Sequence, residues 1–470
     1  MTRGALTHYA SSAWLALLVA AVIIVAQMAS KPPRPIYADE LQYLTVSRNL
    51  AIHGVFSDQA VTDRAPRPTA FFTPVAPLLY AFLLKVDPAL EPTLACQFKH
   101  SLDPRTHCQI RYSLLTRGTM ALLATLGLWG SWVVARSFGL TALGSWTVLG
   151  VVAASGAHAY FARHFLTEAP LLAVFPFFLA LLLRATDPAI RRSTGLLLGL
   201  GAIMGLLALI RPSYVYQAYA VILAIPLLRH YRGATAVGPY GVGAVLLVAA
   251  GYAISVLPWM LRNAISLGEF SLTVGYDIDI LVQRLFYNQM SWGEWWKAWI
   301  YWLPDFGDNL AIALFGEDAV RKLSLLEPTG YHYAGNPPVS DFLKTHLGNR
   351  PATLGNLLPV LLADWPKHVA VTFVMAWQGL WAGKYITFVA VLLAPFALCR
   401  MAETGQLRGF LVMAGVVLLM VGFYAFVSVS IPRYNLPMIW ISAMVAAVLV
   451  EAVTRRFHRL RDGNARSQAA

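Results

Sequence analysis

The chain has 470 residues, a hydrophobic fraction of 58%, a charged fraction of only 13% and a formal net charge of +13. Soluble domains run near ~45–50% apolar and ~25% charged, so this composition excludes a soluble globular enzyme, a disordered chain and a coiled coil. Three cysteines exclude a disulfide scaffold or a cysteine-rich metal protein.

Repeated apolar runs near the ~20 residues that cross a bilayer predict an all-α polytopic membrane protein. About ten spans are expected, at roughly 10–29, 112–135, 140–160, 167–183, 194–210, 213–228, 236–257, 385–399, 409–428 and 434–453. The first is read as an anchor, because no small-x-small cleavage site follows it. Residues 71–86 are apolar, but Pro68, Pro74 and Pro77 crowd their start, and they are read as an interfacial helix. With that reading Arg3, Arg136, Arg184, Arg191, Arg192, Arg229, Arg232, Arg400, Arg408 and the arginines from Arg455 onward share one face, outnumbering Asp187, Glu403, Glu451 and Asp462. The positive-inside rule makes that face, with both termini, cytoplasmic. The net charge is then mostly an orientation signal, and no nucleic-acid partner is expected.

Three segments follow: a transmembrane module over 1–258 with an outer loop at 31–111, an outer tryptophan-rich region over 259–384, and C-terminal spans with a basic tail over 385–470. Trp292, Trp295, Trp296 and Trp302 mark the second segment, where apolar stretches such as Leu310–Phe315 are too short to span. These tryptophans suit either sugar stacking or anchoring at the interface.

The first outer loop carries Asp39-Glu40, with Tyr43 four residues after Asp39 and so on its helical face. Such a pair can supply a general base at the membrane surface, or merely favour a helix start. Arg163-His164 and Thr167-Glu168 lie between two spans on the same outer side. Glu168 opens an apolar run, where a carboxylate needs a partner or a task, while Thr167 could cap the helix. Arg262 and Arg433, with Tyr434, stand at outer helix ends and suit phosphate oxygens or headgroup anchoring; Arg211 is a weaker member of this set. His53 and His164 are candidate substrate contacts or structural residues. Acids and cations gathered on one face suit sugar transfer from a lipid phosphate: a carboxylate deprotonates the acceptor and cations hold the leaving phosphate. The alternative, a secondary transporter or lipid-linked sugar flippase, would place ionisable groups near helix centres, which are almost free of charge here. Cys96 and Cys108 could form a disulfide in an oxidising compartment or, with His100 and His107, a zinc site; Cys399 is read as a free packing cysteine.

With these residues in order, the sequence resembles the dolichyl-phosphate-mannose–protein mannosyltransferase-like family of the GT-C superfamily, whose bacterial relatives include the lipid A aminoarabinose transferase. The likeness rests on Asp39-Glu40 with Tyr43, the proline-bearing helix from Thr73-Pro74 to Pro77-Leu78, the acid Glu168, Pro258-Trp259 with Arg262-Asn263, and Arg433-Tyr434 with Pro437. Glu168 stands where aspartate is more usual. The resemblance implies an inverting transfer from a polyprenyl-phosphate sugar to a lipid, polysaccharide or protein. Asp39 would be the base, Glu40 and Glu168 would shape the site, and Arg433, Tyr434 and Arg262 would hold the phosphate. Tyr43, His53, Arg163 and His164 would contact substrate. It also implies a bacterial plasma membrane with a periplasmic site. No cofactor and no metal are expected, since separated acids beside arginines make a poor cation cage.

Overall fold

The computed structural model describes residues 3–31, 34, 36, 38–62, 64–99, 113–187, 193–230, 240–332 and 337–468. Among them every regular element is helical. The N-terminal helices are α1 (Arg3–Ala29), α2 (Ala38–His53), α3 (Val75–Val86), α4 (Leu90–Lys99), α5 (Leu114–Ser137), α6 (Ala142–Ala154), α7 (Ala157–Phe161), α8 (Glu168–Thr186), α9 (Thr194–Ile210), α10 (Tyr214–His230) and α11 (Tyr240–Leu267). Then come α12 (Tyr276–Phe286), α13 (Trp292–Tyr301), α14 (Gly307–Phe315), α15 (Pro337–Leu347), α16 (Leu354–Ala363) and α17 (Trp365–Leu380). The last are α18 (Tyr385–Glu403), α19 (Leu407–Val427) and α20 (Met438–Gln468).

Two compact units divide the chain: Met1–Val274 with Leu393–Met413 and Ala443–Ala470, and Gly275–Leu392 with Ala414–Ser442. The C-terminal helices are therefore shared between the units rather than forming a segment of their own.

Among the described residues α1, α5, α8, α11, α18, α19 and α20 are long and apolar enough to cross a bilayer. The protein is an integral, polytopic, all-helical membrane protein. Helices α9 and α10, at 17 residues each, sit at the short limit for a span. Helix α3, at 12 residues, rises only about 18 Å and cannot cross, in keeping with an interfacial helix.

One expectation needs correction. The span placed at 140–160 is not one helix: α6 stops after 13 residues, Gly156 takes a φ of 67°, and α7 restarts as a five-residue turn. That left-handed backbone is open to glycine and ends the α-helical ladder. Within the region 259–384, α16 and α17 form an apolar pair bent by 92°, the geometry of a broken span or of a re-entrant loop. Lys367, His368 and Gln378 interrupt the apolar pattern of α17, yet all three are buried within the second unit. Lys367 lies 3.9 Å above the Trp292 ring and His368 packs edge-on to Phe426.

Packing in the first unit depends on small residues. A Cβ on Gly201 of α9 would lie 2.0 Å from the Val248 carbonyl of α11, and one on Gly251 of α11 would lie 2.1 Å from the Leu198 carbonyl of α9. The two backbones touch, as small residues allow between membrane helices. At another corner, Glu451 of α20 accepts 2.6 Å bonds from the Thr141 amide and hydroxyl, fixing the start of α6.

The second unit is held by Arg284, fully buried in α12. It donates to the carbonyls of Ala425 at 2.7 Å and His368 at 2.9 Å, and to Asn288 Oδ1 at 2.7 Å. One guanidinium thereby joins α12, α17 and α19. Burial lowers its pKa to about 9. Beside it, Trp295 and Trp377 donate their indole N–H groups to Ala370 and Trp299 carbonyls, so these rings are structural, while Trp292 and Trp296 stay exposed.

Candidate active site

The acidic candidates lie at helix starts, where the exposed amides favour negative charge. Asp39 and Glu40 occupy the first turn of α2, and Glu168 is the first residue of α8. Asp39 is exposed, whereas Glu40 and Glu168 are 1% and 2% exposed.

Long-range bonds gather these starts. Glu40 Oε1 accepts from the Phe165 amide at 2.7 Å and from Arg34 Nη2 at 2.7 Å. The Tyr80 hydroxyl of α3 donates to the Leu166 carbonyl at 2.5 Å, and its ring packs edge-on to Phe165. Burial raises the Tyr80 pKa well above its ordinary value, and the charges of Glu168, Glu40 and Tyr43 add to the effect. Tyr80 is thus the hub around which the two acidic segments meet. Tyr43 packs its ring 4.7 Å from Phe72 in the same region.

Glu168 is ion-paired. Arg211, at the end of α9, donates to Glu168 Oε1 at 2.6 Å and to the Thr167 hydroxyl at 3.0 Å. Thr167 is the N-cap residue of α8 but makes no side-chain capping bond; its hydroxyl points to Glu168 and Arg211 instead. The Thr73 hydroxyl donates to the Ile210 carbonyl at 3.1 Å, holding the segment before α3 beside Arg211.

His164 is buried next to this cluster. Its Nδ1 donates to the Tyr160 carbonyl at 2.8 Å. Burial, reinforced by the positive charge of Arg34, lowers its pKa to about 4, so the ring is neutral at pH 7. Arg163 is half-buried beside it. His53 is at the far end of α2, about 20 Å from the acidic pair by helical rise, and bonds the Thr62 carbonyl.

Arg262 works as a brace in the first unit. Its guanidinium donates to the Thr69 carbonyl at 2.7 Å and the Phe56 carbonyl at 3.3 Å, and lies over the Trp259 ring. Asn263 and Trp259 donate to the Ser271 and Leu272 carbonyls, so the Pro-Trp-x-x-Arg-Asn stretch ties two loop segments to α11. Arg433 and Tyr434 belong to the second unit, in a 3₁₀ turn over Pro432–Asn435, where the guanidinium sits 5.2 Å from the Tyr434 ring. Tyr434 in turn packs against Tyr424. Cys96 is disulfide-bonded and Cys399 is a free, exposed thiol; Cys108, His100 and His107 lie outside the described residues.

Arg34 and Tyr80 were not singled out from the sequence. Arg34 gives a faint signal, a base six residues before Glu40. Tyr80 gives none, since its partner is 86 residues away.

No protein-family model matches the chain, and no curated protein matches it. Solved structures do resemble it. The oligosaccharyltransferase of Archaeoglobus fulgidus in its apo form, 14% identical, superposes with a TM-score of 0.51 over 96% of this chain and 52% of that one. This chain therefore spans about half the length of that enzyme. ArnT from Cupriavidus metallidurans bound to undecaprenyl phosphate is 16% identical over 96% of this chain and 78% of its own, with a TM-score of 0.34. The apo form of ArnT gives 18%, 93%, 77% and 0.30. The ArnT superpositions are too loose to carry an argument, whereas the oligosaccharyltransferase superposition bears on the fold. The fold of this chain is similar to that of the oligosaccharyltransferase over 96% of its length.

Proposed function

We propose that this chain is an inverting glycosyltransferase that moves a sugar from a polyprenyl-phosphate donor to an acceptor hydroxyl at the outer face of a bacterial plasma membrane. The observation that carries this reading is the meeting of two acidic helix starts, Asp39-Glu40 and Glu168, around Tyr80 and Phe165. Of the three carboxylates, Asp39 is the exposed one, and it is assigned as the base. It takes the acceptor proton as the acceptor oxygen attacks the anomeric carbon. The bond from that carbon to the phosphate oxygen breaks with inversion, and polyprenyl phosphate leaves with the electron pair.

Glu40 and Glu168 have another task. Each already faces a guanidinium, so they fix the segments that carry Asp39 and shape the pocket. Arg433, with Tyr434, is assigned to the leaving phosphate, because a planar guanidinium matches phosphate oxygens in bidentate fashion. Arg262 adds its charge while bracing the first loop. The proposal includes no metal: two carboxylates neutralised by arginines suit a divalent cation poorly. Both termini are assigned to the cytoplasm.

The test is a transfer assay on purified protein in nanodiscs, with a panel of short-chain polyprenyl-phosphate sugars. Release of polyprenyl phosphate by the wild type that disappears in Asp39→Asn supports the reading. Release that persists in a folded Asp39→Asn protein overturns it.

A further inference from the structure

In the second unit α13 and α17 run side by side in the same direction. Lys367 Nζ lies 3.9 Å from the Trp292 ring, Trp295 donates its indole N–H to the Ala370 carbonyl at 2.8 Å, and Trp377 donates to the Trp299 carbonyl at 2.9 Å. With 16 residues, α17 is about 24 Å long. Both its ends nevertheless meet one side of the membrane. At the start, His368 packs edge-on to Phe426, in the last turn of the span α19. Past the end, a Cβ on Gly383 would lie 2.5 Å from Thr387 Oγ1, in the first turn of the span α18, and one on Gly379 would collide with Ser430 Oγ, in the link from α19 to α20. Only the 404–406 turn joins α18 to α19, so the start of one span and the end of the other share a side. A crossing helix as long as α17 would carry one end to the opposite side.

The corner between α13 and α14 is fastened at the same level. Asp305 pairs with Lys384 at 2.8 Å, and Phe306 stacks on Tyr385 and packs edge-on to Phe388. Asp305 and Lys384 are also the non-glycine residues with positive φ among the described ones, at 57° and 52°. Such backbone persists where its surroundings enforce it, so the corner is held firmly at the first turn of α18. The exposed surface on either side of it is apolar. Tyr385, Val389 and Leu392 form an exposed face of α18 at helical spacing. Beyond the corner Leu310 and Leu314 of α14 and Trp292 and Trp296 of α13 are exposed, Leu314 to 58% and Trp296 to 67%. Lys297 reaches over the Phe315 ring and closes the seam between the two helices. Polar groups that a sugar would need here are committed elsewhere. Glu294 Oε2 accepts from the Ser291 amide at 2.8 Å and the Tyr331 hydroxyl at 3.0 Å, and Lys367 covers one face of Trp292.

We propose that α13 and α14 form an in-plane anchor resting in the lipid leaflet around the first turn of α18, with Trp292, Trp296, Leu310 and Leu314 inserted and Lys297 at headgroup depth. The lipid that covers the exposed face of α18 continues across the corner and covers theirs. A helix of this kind buries its apolar face about 5–10 Å into the boundary between headgroups and acyl chains. Indoles favour that depth, and a lysine stem reaches past them to the headgroups. Helix α17 runs beside the anchor without crossing, and the 92° bend before it is a turn at the membrane surface. The anchor does not depend on sugar transfer.

Spin labelling of the full chain in nanodiscs of phosphatidylcholine and phosphatidylglycerol tests this. In a Cys399→Ser background, which leaves the bonded Cys96 in place, nitroxides are attached in Trp296→Cys and Leu314→Cys, with Val389→Cys as the lipid-facing reference. Both labels should collide with oxygen at least about twofold more often than with a water-soluble nickel complex, as the reference does. Should a cysteine variant not fold, the emission that Trp292→Phe/Trp296→Phe removes gives a second readout. In the wild type that emission should be quenched by brominated phosphatidylcholine and spared by iodide. A smaller oxygen preference at either label, or quenching by iodide without quenching by brominated lipid, is what an open platform for a glycan would give, and either result would overturn the proposal.

Discussion

Glu40 Oε1 and the Phe165 amide are 2.7 Å apart, although 125 residues separate them in the chain. This bond fastens the first turn of α2 to the turn that precedes α8, and it shares its acceptor oxygen with Arg34. Breaking it should be costly, because Glu40 is buried and its loss leaves a guanidinium and an amide to be resolvated. Glu40→Ala should destabilise the protein by about 3 kcal/mol, read as a lowered thermal midpoint in detergent. An unchanged midpoint would remove Glu40 from the scaffold.

Asp39 is exposed next to that anchored residue, so its replacement should behave differently. Asp39→Asn should reduce transfer by about 100-fold or more, the usual worth of a general base, with the thermal midpoint unaltered. Kinetics and unfolding on the same preparation decide between loss of chemistry and loss of fold.

The Glu168–Arg211 pair invites a double-mutant cycle. Glu168→Gln and Arg211→Gln each leave one buried partner uncompensated, and each should destabilise strongly. The double variant should recover about 1–3 kcal/mol relative to the sum of the singles. Strict additivity would mean that the 2.6 Å contact contributes no coupling.

His164 gives a pH dependence with a definite sign. Its folded pKa of about 4 lies below the ordinary 6.5, so the unfolded chain takes up the proton first. Its contribution to stability is complete above pH 6.5 and is lost as pH falls from there towards 4. Urea or thermal midpoints measured across that window should fall less steeply in His164→Gln than in the wild type.

Much of the fold was legible because bilayer-crossing helices advertise themselves as long apolar runs, as in α5, α8 and α19. Legibility failed where local pattern and tertiary burial part company. Helix α17 carries Lys367, His368 and Gln378, whose polarity suggests solvent, yet neighbours in the second unit enclose them. The break after α6 depends on the backbone of Gly156, one small residue among several in Ala-Ala-Ser-Gly-Ala. Of the candidate site, Asp39, Glu40 and Glu168 were visible as acids beside spans. The Arg34–Glu40 pair, six residues apart, left only a faint trace, and the wiring through Tyr80, Arg211 and the Phe165 amide left none, since contacts across 43 to 125 residues leave no mark on local spacing.

Gly201 should tolerate nothing larger. A Cβ there meets the Val248 carbonyl at 2.0 Å, and a backbone neighbour cannot swing aside. Gly201→Ala should cost more than about 3 kcal/mol and sharply lower the yield of monodisperse protein in size-exclusion chromatography. Gly199→Ala, with open space around its position, serves as the matched control.

The same contact has a mechanical consequence. With Gly201 and Gly251 locking backbone to backbone, α9 and α11 cannot slide past each other or be levered apart, and they move as a single strut. Arg211, which grips Glu168, rides at the end of one member, and Arg262, which grips the 56–69 loop, rides on the other. The 56–69 loop and the acidic end of α8 are thereby coupled through Arg262, the α9–α11 backbone contact and Arg211.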